Sequence, residues 1–214
     1  TFEPHSRNFS KGLTVIKQDL VRDNALLLSV AAQFNDTISI AVMDWFQKLK
    51  TISGLREEGY KGFTVGRTEN PDYKNKILEL LKSADLGIQD LKIVPLDPNS
   101  LPVDMPRELK EKIIRDISED NAKYFSDIIT FHNKFNNKGQ LTGRTDFSLD
   151  EDESSGTRKF FALTGPILDV LENGYTLIVD ELDSKLHPNL VCKIVSLFNS
   201  ESLNLKNAQL LFNT

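Results

Sequence analysis

The stretch Gly174 to Pro188, GYTLIVDELDSKLHP, constrains the fold of this chain more than any other. Thr176–Val179 is a short β-favouring run with no polar alternation, and it leads directly into Asp180 and Glu181, with Asp183 two residues on. Apolar runs of this kind suit strands buried on both faces, as in a parallel sheet covered by helices. In open α/β sheets ligands lie beyond the carboxyl ends of the strands. Two carboxylates delivered there are suited to a hard Mg²⁺ ion, which takes oxygen ligands from one or two carboxylates plus substrate phosphates. The first acid can hold the metal, directly or through water, and the second can polarise an attacking water. Strands that simply end in solvated acids share this pattern, so on its own it leaves both readings open.

The flanking segments repeat a helix–strand rhythm. GTRKFFALTGPILDVLENG places Phe160, Leu163, Ile167, Leu168 and Leu171 on one helical face, with Gly174 as the stop. Pro188 opens a helix carrying Leu190, Ile194, Leu197 and Phe198, and AQLLF reads as a second buried strand. The first of these helices begins with Ser154, Ser155, Gly156 and Thr157. Unpaired N–H groups and the positive end of the helix dipole make such a start a ready anion site. A serine that only caps the helix is the competing reading. It leaves the clustering of Gly156, Thr157 and Arg158 without a reason.

Upstream the texture differs. Asp19–Phe34 reads as a helix with Leu20, Leu27, Leu28, Ala31 and Phe34 near one face. TISIAVMDWFQKLKTIS reads as another, with Ile40, Met43, Phe46, Leu49 and Ile52 at three-residue steps. ENPDYKNKILELLKSADLG has Asn70 as a cap, Pro71 in the first turn and Gly87 past the end. A short strand follows in IQDLKIVP, then a Pro-broken loop, then a charged helix in RELKEKIIRDISEDNAKY. DIITFHNKF and QLTGRTDFSL form a β-hairpin turning around Asn137–Gly139. The expected fold class is α/β, with a mainly helical region over 1–150 that includes a hairpin near 127–149, and a parallel-sheet part over 151–214.

Length and charge set broad limits. The chain has 214 residues, 39% hydrophobic, with a formal net charge of −5, which argues against coating nucleic acid through overall charge. The single cysteine, Cys192, excludes an intrachain disulfide and a Cys-based zinc cluster, and points to a reducing, cytoplasmic compartment. No apolar run approaches the ~20 residues of a membrane helix. His132 reads as a structural residue, Trp45 as a helix-packing aromatic, and the Asp150–Glu153 run as a solvated loop. His5 has no partners nearby in sequence. Lys11, Lys17, Lys61 and Arg67 are too scattered to define a nucleic-acid site.

ESSGT resembles the signature motif of ABC-type ATPases, and YTLIVDELDSKLHP resembles their Walker B strand and D-loop; Ser154 and Asp180 lie 26 positions apart. With LVRDNALLLSVAAQFN and LLKSADLGIQDLKI, the chain is similar over most of its length to prokaryotic OLD-like and abortive-infection-type AAA ATPases, relatives of SMC and RecF-like proteins. The resemblance implies ATP and Mg²⁺ as cofactors. It makes Asp180 the metal ligand and Glu181 the catalytic residue that activates water. Ser154, Ser155, Gly156 and Thr157 would contact the γ-phosphate of ATP bound on a partner subunit. Asp183 to His187 would form the D-loop at the interface of a homodimer that sandwiches two nucleotides. It also implies a setting in prokaryotic defence or DNA-associated work, with a nuclease or DNA as a possible partner and no membrane. A nucleotide-gated clamp with negligible turnover is the alternative.

The chain departs from the family pattern at the phosphate-binding loop. No G-x-x-x-x-G-K-[ST] occurs, and GFTVGRT lacks both the lysine and the spacing. The chain starts without Met and stops after LLFNT, so the reading is of a fragment inactive by itself. The phosphate loop and glutamine loop are expected before Thr1, and the switch histidine directly after Thr214.

Overall fold

A computed structural model of the chain describes residues 21–22, 24–55, 58–97, 101, 105–116 and 126–214. It divides into two units, residues 1–50 and 51–214. The first contains α1 (Leu27–Gln33) and α2 (Thr37–Gln47). Asp36 sets the junction between them: its buried carboxylate accepts hydrogen bonds from the N–H of Ser39 at 2.9 Å and from its hydroxyl at 2.6 Å, an N-cap that satisfies otherwise orphaned donors. The helix expected to run from Thr37 through Ile52 stops at Gln47, and Leu49–Ser53 becomes strand β1. Trp45, expected to pack, is half exposed and meets Phe46 edge-on at 5.1 Å.

The second unit contains most of β1 and everything after it. Its first sheet has the order β1-β5-β6, with β5 at Thr176–Asp180 and β6 at Gln209–Phe212. β5 and β6 pair in parallel, Thr176 opposite Gln209 through Val179 opposite Phe212. The parallel pairing is the one expected from the two unalternating runs, but β6, expected to be buried, leaves Gln209, Leu211 and Phe212 exposed. α6 (Ser155–Asn173) and α7 (Pro188–Phe198) flank the sheet and supply Phe160, Phe161, Leu163, Ile167, Leu190 and Ile194 to a core that also holds Leu177 and Val179. Gly174 closes α6 in the left-handed conformation, φ 68°, which a residue without Cβ adopts at no steric cost.

α3 (Glu58–Arg67), which sequence reasoning did not foresee, packs along α6 at a specific defect. Pro166 has no N–H, so the Ala162 carbonyl loses its helical donor. Buried Thr64 fills the gap: its Oγ1 donates to Ala162 O at 2.8 Å and accepts from the N–H of Gly165 at 3.1 Å.

α4 (Pro71–Ser83) begins as its punctuation dictates, with Asn70 Oδ1 accepting from the N–H groups of Asp72 and Tyr73 at 2.9 and 3.3 Å. β2 (Ile88–Pro95), β3 (Ser126–Phe135) and β4 (Leu141–Ser148) form an antiparallel sheet in that order. The β3–β4 turn is centred where expected, with Asn136 Oδ1 accepting from the N–H groups of Lys138 and Gln140 at 2.9 and 3.0 Å. α5 spans Arg107–Asp116; the remainder of that expected helix lies outside the described residues. Ile77, Leu81, Ile88, Leu91, Ile128 and Leu149 join the same core as Phe160, so residues on both sides of position 150 share it.

Candidate site at the carboxyl end of the parallel sheet

Asp180 is the last residue of β5, and its side chain is exposed beyond the strand end. Glu181 follows in the left-handed region, φ 54°, a conformation that costs a non-glycine residue of order 1 kcal/mol. Three neighbours hold this corner. Gly54, directly after β1, donates its N–H to the Asp180 carbonyl at 2.7 Å, which aligns the ends of β1 and β5. The N–H of Glu181 donates to Asn213 Oδ1 at 2.6 Å, and Asn213 Nδ2 donates to Asp180 Oδ1 at 2.8 Å. Leu182, fully buried beneath the acids, anchors the following turn in the core.

Ser154 caps α6 as expected. Its Oγ accepts from the N–H of Thr157 at 3.1 Å and lies 2.9 Å from Thr157 Oγ1. Ser154 and Ser155 are exposed, and Thr157 is buried. The N–H groups of Ser155 and Gly156 belong to the first turn, where no intrahelical carbonyl is available. Glu153, just before the cap, is tied down by His132 Nε2 at 2.7 Å and by Thr130 Oγ1 at 2.7 Å. The end of the acidic run is therefore an ordered contact rather than a solvated loop, and His132 has the structural role expected of it.

The serine-rich helix start and the acidic strand end, 26 positions apart in sequence, are brought together by Lys159, which sequence reasoning missed. Its side chain is fully buried, and Nζ donates to the carbonyls of Glu181 at 3.3 Å, Leu182 at 3.0 Å and Ser184. A buried ammonium is tolerated only where oxygens replace its water shell, and the turn after β5 supplies them. Gly156 faces the same turn: a Cβ there would lie 2.9 Å from the Lys185 carbonyl. Lys185 is itself left-handed, φ 61°. One signal for Lys159 was available, since it falls four residues before Leu163 on the buried stripe of α6, where lysine is rare. Asn213 and Gly54 left no such signal, because their roles depend on pairing between strands distant in sequence.

Asp183 is exposed on this turn. His187 caps α7, its Nδ1 accepting from the N–H of Asn189 at 3.2 Å. That bond makes Nδ1 the acceptor and leaves the hydrogen of a neutral ring on Nε2.

The donor set suits Mg²⁺. Asp180 offers an exposed carboxylate with one oxygen engaged by an amide and the other uncommitted by it. Among the described residues no three His, Cys, Asp or Glu side chains converge into a cage. A carboxylate such as that of Asp180 suits an ion that takes one or two protein carboxylates and fills its remaining positions with phosphate oxygens and water. Among the described residues no helix is long and apolar enough to cross a membrane.

Residues 52–214 match the family described as "AAA domain, putative AbiEii toxin, Type IV TA system". No curated protein and no solved structure matches the chain significantly. The match covers the end of β1, all of β5 and β6, α6 with its serine-rich start and the two acids at the end of β5, and on that basis the chain belongs to this AAA-domain family of P-loop ATPases.

Proposed function

We propose that this chain is the signature and Walker B portion of an ATP-hydrolysing head of the OLD-like, abortive-infection type, which dimerises around ATP. The observation that carries the reading is the clamp between α6 and the turn after β5: Lys159 joins the helix that starts at Ser154 to the backbone of Glu181. A phosphate-facing helix end and a pair of catalytic carboxylates act together only if their relative position is fixed.

Asp180 is positioned to hold Mg²⁺, which when bound would neutralise phosphate charge. Glu181 orients and activates the attacking water. The N–H groups of Ser155 and Gly156, with the hydroxyls of Ser154 and Thr157, face the γ-phosphate of a nucleotide on the partner copy, and Asp183 and His187 line the same interface. Residues 151–214 carry this chemistry on a sheet that β1 joins, and the part between β1 and residue 151, including the hairpin, forms an insert. The family description names a toxin of a type IV toxin–antitoxin system. That description and the sequence resemblance support our reading of a prokaryotic defence setting, and the resemblance alone suggests a nuclease or DNA as partner.

The test is Glu181→Gln in the full-length protein. The substitution keeps size and hydrogen bonding but removes the charge that activates water. Hydrolysis should fall by on the order of 10²-fold, ATP binding should persist, and an ATP-bound dimer should accumulate in light scattering. Turnover at the unsubstituted rate would remove Glu181 from the catalytic role and the reading with it.

A further inference from the structure

The residue at the end of β6 touches both acids at the end of β5. Asn213 Oδ1 accepts from the N–H of Glu181 at 2.6 Å, while its Nδ2 donates to Asp180 Oδ1 at 2.8 Å. Its own backbone is fixed on both sides: the N–H donates to Val179 O at 3.3 Å, and the carbonyl accepts from the N–H of Leu182 at 3.2 Å. The side chain therefore projects from a point locked into the sheet.

We propose that Asn213 is a positioning residue that sets the geometry of Asp180 and Glu181, an inference that rests on their reading as metal-holding and water-activating groups. Few side chains could do both parts. A primary amide carries an acceptor and two donors on one rigid plane, so it can take a backbone hydrogen and give one to a carboxylate at once. An aspartate at 213 could accept from Glu181 but would set a second negative charge against Asp180. Leucine could do neither.

Two consequences follow for the acids. Committing Oδ1 of Asp180 to the amide fixes the carboxylate's rotation and leaves Oδ2 as the oxygen for a hard cation. Capturing the Glu181 N–H holds that residue in its left-handed conformation, φ 54°, which otherwise relaxes because it is sterically disfavoured. The carboxylate of Glu181 is thereby aimed from a defined backbone. Groups that orient metal ligands and catalytic side chains in this way typically contribute about 10- to 100-fold to affinity or rate.

The experiment compares Asn213→Ala, Asn213→Asp and Glu181→Gln in the full-length protein. It has two readouts: steady-state ATP hydrolysis, and hydrogen exchange of the Glu181 amide followed by NMR without nucleotide. For Asn213→Ala, kcat should fall about 10- to 100-fold, with KM for ATP held within about twofold because uniform binding is untouched. Its Glu181 amide should exchange roughly fivefold faster or more, as loss of one hydrogen bond implies. Asn213→Asp keeps the acceptor for Glu181 and so separates the two bonds: protection of the Glu181 amide should persist while kcat still falls.

If Asn213 only closed the end of the β5–β6 ladder, Asn213→Asp would hydrolyse ATP at the unsubstituted rate, and that result overturns the proposal. Unchanged Glu181 exchange in Asn213→Ala overturns it as well. An inactive Glu181→Gln beside a fully active Asn213→Ala overturns the positioning role alone. A fully active Glu181→Gln overturns the underlying reading and the proposal together.

Discussion

Gly156 lies so close to Lys185 that a side-chain carbon at position 156 would sit 2.9 Å from the Lys185 carbonyl oxygen. The glycine that the sequence motif assigns to phosphate approach thus has a neighbour within its own chain. Its small size lets α6 start directly against the turn that follows Glu181. Both roles are compatible, because the N–H of Gly156 and the space its Cβ would fill are different features of the residue.

Gly156→Ala separates them. Alanine adds helix propensity worth about 1 kcal/mol, but it forces a backbone carbonyl to move, and overpacking of this kind costs about 1–3 kcal/mol. The net expectation is a loss of about 1 kcal/mol, which lowers Tm by about 2–4 °C in a unit of this size. ATP-dependent dimerisation should weaken more than this stability loss accounts for. Thermal denaturation and light scattering on the same sample check both. A raised Tm would mean that the turn yields freely.

Lys159→Met replaces the clamp with an apolar chain of similar length. The Glu181, Leu182 and Ser184 carbonyls lose their shared donor, and hydrogen bonds to a charged group are each worth about 1.5–3 kcal/mol. Relief of burying the ammonium offsets part of this, leaving an expected loss of about 3 kcal/mol by denaturant titration. Lys159→Arg should not rescue, because a planar fork cannot present its donors to three carbonyls converging on one point. Full stability in Lys159→Met would show that the turn does not need the lysine.

Thr64→Val tests why α3 packs where it does. The shapes are nearly equal, but the variant leaves the Ala162 carbonyl without its donor beside Pro166 and takes the Thr64 acceptor from the Gly165 N–H. A loss of about 2 kcal/mol is expected, because an orphaned buried polar group costs about 1–3 kcal/mol. Thr64→Ser, which keeps the hydroxyl, should recover at least half. Equal stability for the valine and serine variants would count against the repair of the proline defect.

These residues also mark where the sequence was legible and where it was not. The ends of α4 and α6 could be read from Asn70, Pro71, Ser154 and Gly174 because caps are local chemistry. β5 could be read because a strand buried on both faces needs no alternation, whereas β6 was legible as a strand from its apolar run although most of that run is exposed. β1 could not. The stripe from Ile40 to Ile52 steps by three, and each such step drifts by about 60° around a helix of 3.6 residues per turn, so it never formed one face. Partners far along the chain determined the strand. α3 was hidden for a different reason. It carries Gly59, Gly62 and Gly66, and each glycine disfavours a helix by about 1 kcal/mol relative to alanine. What holds it helical is the inward packing of Thr64 and Val65, both buried, and tertiary packing outweighs propensity in most protein helices. In the candidate site, Asp180, Glu181 and the Ser154–Thr157 cluster were visible as motif residues. Lys159 was marked only as a lysine on the buried stripe of α6, and Asn213 and Gly54 were not marked at all, since each acts on a partner remote in sequence.

Gly54→Ala should be the most damaging single methyl in the second unit. The added carbon would lie 2.0 Å from the Glu181 carbonyl oxygen and 2.8 Å from that of Asp180, and neither backbone atom can swing away as a side-chain end could. Overpacking costs about 1–3 kcal/mol where neighbours can relax; here a loss at or above about 3 kcal/mol is expected, together with loss of the Gly54 to Asp180 hydrogen bond. Circular dichroism melting and the chemical shift of the Glu181 amide report the two effects. A melting curve like that of the unsubstituted chain would show that β1 does not press on this corner.

Glu181→Gly asks whether the acid is there for stability or for chemistry. Glutamate at φ 54° is strained, and a left-handed conformation costs a residue with Cβ about 1–2 kcal/mol relative to glycine. Glycine loses more chain entropy on folding, about 0.5–1 kcal/mol. The difference favours the variant by about 0.5–1 kcal/mol, a rise in Tm of about 1–4 °C. The backbone bonds to Asn213 and Lys159 do not use the glutamate side chain and should remain. ATP hydrolysis should nevertheless fall as far as in Glu181→Gln, because the carboxylate is gone in both. A variant that is more stable and inactive is the signature of strain kept for function. A Glu181→Gly protein less stable than the original would instead assign the side chain a structural role and weaken its assignment as the group that activates water.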